Sequence, residues 1–206
     1  SACQVKNLRE KRTDVRIPST DQFHRFLEEA AKTQQSDQLV AWLYLRAWTG
    51  IRPGESLWLE WDDIDFEHDL IHIRSKAGNP LKHGAERKID ISPALREKLL
   101  ELRARWEKRF QRRVLHNWVF YNPKKISERA KAFRGGFRTA RENAGIPWFT
   151  SYGLRHYFVS MAVMQKVDYL TIMKWTGHHS SEMIDKVYGH LNAPHSKGEM
   201  AKLKIG

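Results

Sequence analysis

The sequence predicts a mainly α fold with a small antiparallel β-sheet near its middle, an α+β arrangement. Three observations predict it. In several stretches apolar residues recur at steps of three and four, the spacing of one helix face. Between residues 64 and 91 that period gives way to strand-like alternation, as in Leu70-Ile71-His72-Ile73-Arg74. Glycine and proline punctuate the helical stretches, at Gly50 and Pro53 and again at Gly145 and Pro147.

Taken in order, residues 1–18 read as a basic linker ending in Ile17-Pro18. Ser19 or Thr20 caps a helix with Phe23, Phe26, Leu27 and Ala30 on one face. A second helix is expected over 36–48, carrying Leu39, Leu43 and Trp48, and a short one over 54–61. Ile64-Asp65-Phe66, Leu70 to Arg74 and Arg87-Lys88-Ile89-Asp90-Ile91 form the expected sheet, with a loop at 75–86. Ser92-Pro93 is a cap followed by proline at the first helical position. It opens an amphipathic helix over 93–113 through Leu95, Leu99, Leu102, Trp106 and Phe110. Residues 117–121 form a short apolar piece. Helices are expected over 127–144, 151–165, 168–176 and 180–191.

The 206 residues suit one domain with small appendages, and 41% hydrophobic content suffices for an ordinary core. Eight Trp, nine Phe and six Tyr bring large buried area per side chain. Lys and Arg number 36 against 24 Asp and Glu, a net charge of +12, which points to a polyanionic partner such as nucleic acid. The one cysteine, Cys3, cannot build a disulfide framework or a thiolate metal site. No apolar run approaches the roughly 18 residues of a membrane span. The basic start, Ser1 to Arg12, is unlike a signal peptide, so a cytoplasmic protein without membrane contact is expected. With Ser at position 1, the chain is expected to be a piece of a longer protein.

Reactive polar residues collect at four breaks between elements. Arg52 lies in Thr49-Gly50-Ile51-Arg52-Pro53-Gly54-Glu55, a turn after a helix. Lys76 lies in Arg74-Ser75-Lys76-Ala77-Gly78, at the tip of the strand–strand loop. Tyr152 and Arg155 share a helix face in Tyr152-Gly153-Leu154-Arg155-His156. The fourth break runs from Gly177-His178-His179 to Tyr188-Gly189-His190. Those histidines lack nearby acids and cysteines at ligand spacing, so no metal and no cofactor are expected.

In this order the four segments resemble the tyrosine recombinases, the phage-type integrases. That family carries Arg in T-G-[LI]-R-x-x-E, Lys in a β-hairpin, H-x-L-R-H, then G-H and a C-terminal Tyr. Leu57 to Asp65 is similar to the family's helix leading into its first strand. The likeness covers about residues 14–192 and implies the tyrosine recombinase catalytic-domain fold. One departure stands out: Tyr152 occupies the place where the family has His. A tyrosine can donate to a phosphate but cannot serve as a base at neutral pH, so a supporting role is expected for it.

The resemblance implies attack of Tyr188 on a DNA phosphodiester, giving a 3′-phosphotyrosyl link and a free 5′-hydroxyl. Phosphoryl transfer is catalysed mainly by positioning and charge stabilisation. Arg52 and Arg155 are expected to clamp the non-bridging oxygens with forked, charge-assisted hydrogen bonds, and His178 to add a donor. Lys76 is the expected proton donor to the leaving oxygen, preferred to Lys82 because it lies in the Ser75-Lys76-Ala77-Gly78 tip right after the strand, and a general acid must sit on a defined backbone. His156 is expected to support the pocket or donate near the phosphate rather than act as the base. Glu55 is expected to orient a side chain from behind. The tyrosyl link stores the bond energy, so no ATP is needed, and the arginines supply the cationic clamp, so no metal is expected.

Two other readings remain beside site-specific recombination: a type IB topoisomerase, which shares this pocket, and a DNA-binding module with a degenerate pocket. The expected organisation is a linker over 1–18 (its Lys6 to Arg16 stretch leading from a preceding DNA-clamping region), a catalytic domain over 19–191, and a tail over 192–206 that docks onto a neighbouring subunit. Double-stranded DNA is the expected partner, and a homotetramer on DNA the expected assembly of the full-length protein.

Overall fold

The computed structural model describes residues 15–34, 36–81, 86–110, 117–178 and 180–188, without the side chains of Met183 and Lys186. Helix α2 (Ser36–Thr49) runs through the middle and is buried nearly all round, with Leu39, Trp42, Leu43 and Leu45 in the core. Helices α1 (Thr20–Ala31), α4 (Pro93–Phe110) and α6 (Gly153–Met164) pack against it. A helix that is apolar on every side has to be covered on every side.

Helix α1 starts where its cap predicts. Ser19 Oγ accepts from the Gln22 amide and the Ser19 amide donates to Gln22 Oε1, a reciprocal capping box. The face of Phe23, Phe26, Leu27 and Ala30 is buried, with Phe23 stacked on Tyr157 at 4.2 Å and Phe26 edge-on to Phe137 and Phe149. Helix α4 buries Leu95, Leu99, Leu102, Trp106 and Phe110 as its spacing predicts.

The sheet is the expected antiparallel one, in the order β1 (Ile64–Asp65), β2 (Leu70–Ile73), β3 (Arg87–Asp90). Ile71 pairs with Ile64 on one side and Ile89 on the other, and all three are buried. Helix α7 (Tyr169–Thr176) follows the expected pattern and packs on β3, and α8 (Ser181–Tyr188) matches the helix expected over 180–191 as far as the described residues reach.

Two expectations require correction. The helix expected over 54–61 is only α3 (Pro53–Leu57), followed by a 3-10 turn at Trp61–Asp63. The Asp63 carboxylate accepts from the Glu60 amide and starts that turn afresh, which ends the regular helix. The helix expected over 127–144 begins as a strand: β4 (Tyr121–Asn122) and β5 (Lys125–Arg129) form a hairpin, and the helix proper is α5 (Arg134–Asn143). Asn122 accepts from the Lys124 amide through its side chain, the turn chemistry that Asn-Pro announces.

Among the described residues no helix is long and apolar enough to cross a membrane. A second apolar group, Phe158, Val159, Ala162, Val163, Ile172, Ile184 and Tyr188, is built from α6, α7 and α8. It adjoins the end of α2, where the candidate site lies.

Candidate active site

The turn after α2 is the platform of the site. Gly50 has φ +63, a left-handed conformation, and a Cβ there would run into the Phe158 ring and come within 3.0 Å of Thr176. Only glycine meets both demands without strain. The turn can therefore lie directly on α6 and α7. Arg52 follows at the N-cap of α3. Glu55 reaches back to accept from the Arg52 amide and from Arg52 Nη1, both at 3.1 Å. Arg52 Nη2 donates to the Gly177 carbonyl at 3.1 Å, so its guanidinium is held between α3 and the end of α7.

Arg155 comes from α6 and is buried, at 2% exposure. Its Nη1 donates to the Gly50 carbonyl at 2.7 Å. Both expected arginines are thus tied to one turn and its surroundings. Burial, and then the charge of Arg52, bring Arg155 down to about 10, so it stays charged at neutral pH.

His178 lies just beyond Gly177, the left-handed residue that ends α7. Thr176 Oγ1 donates to the Ile172 carbonyl and therefore accepts from His178 Nδ1 at 2.9 Å. Burial, then the charges of Arg155 and Arg52, bring His178 down to about 4. The ring is neutral with its proton on Nδ1, and Nε2 is left as an acceptor. The expected donor role at Nε2 thus requires that His178 first take up a proton, which a nearby phosphate favours.

Tyr188 ends α8 and is 4% exposed, seated in the C-terminal apolar group. Its hydroxyl is hydrogen-bonded to His156 Nδ1. Burial pushes the phenol up, Arg155 pulls it part of the way back, and Tyr152 pushes it up again.

A match to the phage integrase family covers residues 19–195. The chain belongs to the phage integrase family. The ICEBs1 integrase of Bacillus subtilis (strain 168) is 27% identical over 214 aligned positions, covering 96% of this chain and 56% of the relative. A protein of Escherichia coli (strain K12) described as the putative defective protein IntQ is 25% identical, over 97% of this chain and 56% of its own length. The chain therefore spans about half the length of the curated relatives it matches. Among solved structures, a Tn1549 transposon integrase bound to a circular intermediate DNA superposes with a TM-score of 0.75 at 16% identity, over 95% of this chain and 68% of that one. XerA recombinase gives 0.69 at 22% identity, over 94% of this chain and 67% of that one.

Two expected residues of this phage integrase domain, among the described residues, make no hydrogen bond to Arg52, Arg155 or Tyr188. Lys76 lies in a tight turn with Asn79, and its Nζ donates to Glu60 and Asp63, each at 2.6 Å. Its described contacts are with these two acids and the Trp118 ring, not with Arg52, Arg155 or Tyr188. Lys82 lies outside the described residues, as do His179 and His190. Tyr152 precedes α6, is 52% exposed, and sets its ring edge-on to His156 at 5.2 Å.

Three residues have a larger part than sequence reasoning assigned. His156 touches the Tyr188 hydroxyl; the signal was its place one helical turn after Tyr152. Arg87, in β3, donates twice to Glu55, at 3.2 and 2.6 Å, and once to the Trp175 carbonyl at 2.9 Å. Arg46, in α2, is fully buried, donates from Nε to the Ile51 carbonyl at 3.4 Å and lies over the Trp42 ring. Its Nη1 and Nη2 have no hydrogen-bond partner among the described residues. Glu55 keeps the expected role of orienting a side chain from behind, and it does so for two arginines. Among the described residues, no three His, Cys, Asp or Glu side chains group closely enough to hold a metal ion.

Proposed function

We propose that this domain breaks and rejoins DNA, as the catalytic part of a site-specific recombinase of a phage or genomic island. Tyr188 Oη attacks the scissile phosphorus, the bond to the 5′-oxygen breaks, and a 3′-phosphotyrosyl link remains. Arg52 and Arg155 stabilise the charge that builds on the non-bridging oxygens. Arginine suits that task because its donors are planar and its charge persists. His178 joins them once the phosphate's charge has drawn a proton onto Nε2. Lys76 leaves Glu60 and Asp63 to protonate the departing 5′-oxygen. Tyr152 stays in a supporting place at the mouth of the pocket. Rejoining is the reverse displacement by a 5′-hydroxyl, with the bond energy kept in the tyrosyl link.

One observation carries the reading. Hydrogen bonds gather the Arg52 turn, the end of α7 and α6 at one point, while α8 delivers Tyr188 beside Arg155's own helix. Exposed Lys131, Arg134 and Arg138 line a groove with Pro53, Thr150 and Ser151, next to Arg52 and Tyr152 in the chain. These cations supply backbone affinity for double-stranded DNA. The whole protein is proposed to act in the cytoplasm as a homotetramer on DNA, with 1–18 as linker, 19–191 as catalytic domain and 192–206 as docking tail.

The test is a suicide DNA substrate followed by a denaturing gel. Wild type is expected to give a DNA-linked band that Tyr188→Phe lacks. A second reading, a DNA-binding module without turnover, is favoured by the burial of Tyr188 and by the acids that hold Lys76. Binding without any adduct on the protein's own target site would establish that second reading instead.

A further inference from the structure

Deprotonation of Tyr188 has no agent in the mechanism above. The family pattern puts a histidine at position 152, and this chain has a tyrosine there, whose phenol is no base at neutral pH. The geometry points to His156 as the general base, one helical turn further along α6. This assignment rests on the reading of Tyr188 as nucleophile.

Three observations support it. His156 Nδ1 and the Tyr188 hydroxyl are in direct hydrogen-bond contact, while Tyr152, one turn earlier, is 52% exposed and sets its ring against His156. Burial, and then the Arg155 charge, hold His156 below its ordinary value, so the ring is neutral at rest. In the neutral tautomer that carries its proton on Nε2, Nδ1 is the acceptor and the Tyr188 O–H the donor, and this is the tautomer that the assignment requires. Finally, His156 lines a groove of about 350 Å³ with Arg16, Trp148, Thr150 and Val187, which gives the ring an outlet towards the surface.

The proton balance is complete. As Tyr188 Oη bonds to phosphorus, its proton passes to His156 Nδ1 and the ring becomes an imidazolium. The phosphate's negative charge compensates that cation beside Arg155. On rejoining, the tyrosine leaves phosphorus and recovers the proton from the same nitrogen. The histidine displaced from position 152 is thus replaced by one that approaches the phenol from the next turn.

The experiment compares His156→Asn with wild type on the suicide substrate. Asparagine keeps a hydrogen-bond acceptor near the Nδ1 position and removes only the basicity. Cleavage is expected to slow by about a hundredfold or more, the ordinary size of general-base catalysis, with DNA affinity and the unfolding midpoint unchanged. A fluorinated tyrosine of more acidic phenol, placed at 188, is expected to recover at least about tenfold in His156→Asn and little in wild type. A His156→Asn rate within about threefold of wild type, or no recovery with the acidic phenol, overturns the proposal. A wild type that forms no adduct refutes the nucleophile reading itself, and imidazole nitrogen NMR of the free protein then judges the contact separately. An unprotonated Nδ1 whose signal moves in Tyr188→Phe supports the assignment, and a protonated Nδ1 at neutral pH overturns it.

Discussion

The ion pair behind the site offers the sharpest quantitative test, through Arg87→Met. Arg87 and Glu55 have side-chain exposures of 8% and 7%, so solvent screens their pairing little. Arg87 joins three elements, because its partners are the Glu55 carboxylate on α3 and the Trp175 carbonyl on α7 while it sits on β3 itself. Methionine fills similar space and makes none of these bonds. Removing one partner of a buried pair costs about 3–5 kcal/mol, because the other charge is left behind. Glu55 retains the Arg52 amide and guanidinium, which places the expected loss near the low end, about 3 kcal/mol. For a chain of this size that lowers Tm by roughly 6–12 °C. Burial pushes the Glu55 carboxyl up, but the hydrogen bonds and charges of Arg87 and Arg52 outweigh it, and the net displacement is downward. A group depressed in the folded state contributes stability above its unfolded value, about 4.3, and loses it as pH falls through its folded value. The gap between wild type and Arg87→Met is therefore full at pH 7 and closes in acid. Urea unfolding followed by tryptophan fluorescence measures it, with Trp42, Trp61 and Trp106 buried as reporters. A loss below about 1 kcal/mol at pH 7, or a gap that persists well into acid, would refute the assignment of this pair as the brace of the site.

Arg155→Ala is expected to abolish the DNA-linked band while leaving most nonspecific affinity, since many other cations bind backbone; equal loss of both in gel-shift titrations would show that Arg155 binds rather than activates. Replacing Lys131, Arg134 and Arg138 together by Ala is expected to flatten the slope of log affinity against log salt by about 0.9 for each phosphate no longer neutralised; an unchanged slope would take that groove out of the DNA interface. Arg46→Met is expected to stabilise the fold by about 1–4 kcal/mol, because it removes a buried guanidinium whose two terminal nitrogens lack partners among the described residues; a lower unfolding midpoint would show that the cation is needed for folding. Gly50→Ala is expected to cost several kcal/mol, since the residue is left-handed and abuts Phe158; a calorimetric loss under about 1 kcal/mol would mean that the turn can shift away from α6.

Much of the fold was legible because the elements agree with their local chemistry. Helix α4 shows it: a serine cap, a proline at the first position and one apolar face lead to a single outcome. The β4–β5 hairpin was not legible, because Lys125-Ile126-Ser127-Glu128-Arg129 has neither a clear alternation nor a buried face. Its residues are exposed or half-buried and none is buried, and only its pairing with Tyr121 and Asn122 makes it a strand. The candidate-site residues were legible as types near the ends of elements, since Arg52, Arg155, His178 and Tyr188 occur in a recognisable order. Their supports were not. Arg87 reads as an ordinary strand arginine and Arg46 as an ordinary helix arginine until the packing of α2, α3, α6 and α7 encloses them.

Lys76 makes the same point from the opposite side. Its position in the chain marks it as the acid, yet its described partners are Glu60 and Asp63. Both carboxylates come from the stretch that leads into β1, which the chain had announced only as the end of a helix. Asp63 is 2% exposed, so it cannot turn to water when Lys76 leaves. Its Oδ2 still accepts from the Glu60 amide, and Arg74 lies within 3.7 Å of its other oxygen. The acid that releases Lys76 is therefore not left unpaired. That is the condition under which a buried ion pair can be exchanged at modest cost. In the proposed mechanism the phosphate oxygens of bound DNA compete for the same ammonium in a drier setting, where charge-assisted bonds are stronger. On the proposed mechanism, delivery of the proton donor thus depends on substrate, whereas Arg52 and Arg155 are already held by Glu55, Gly177 and Gly50.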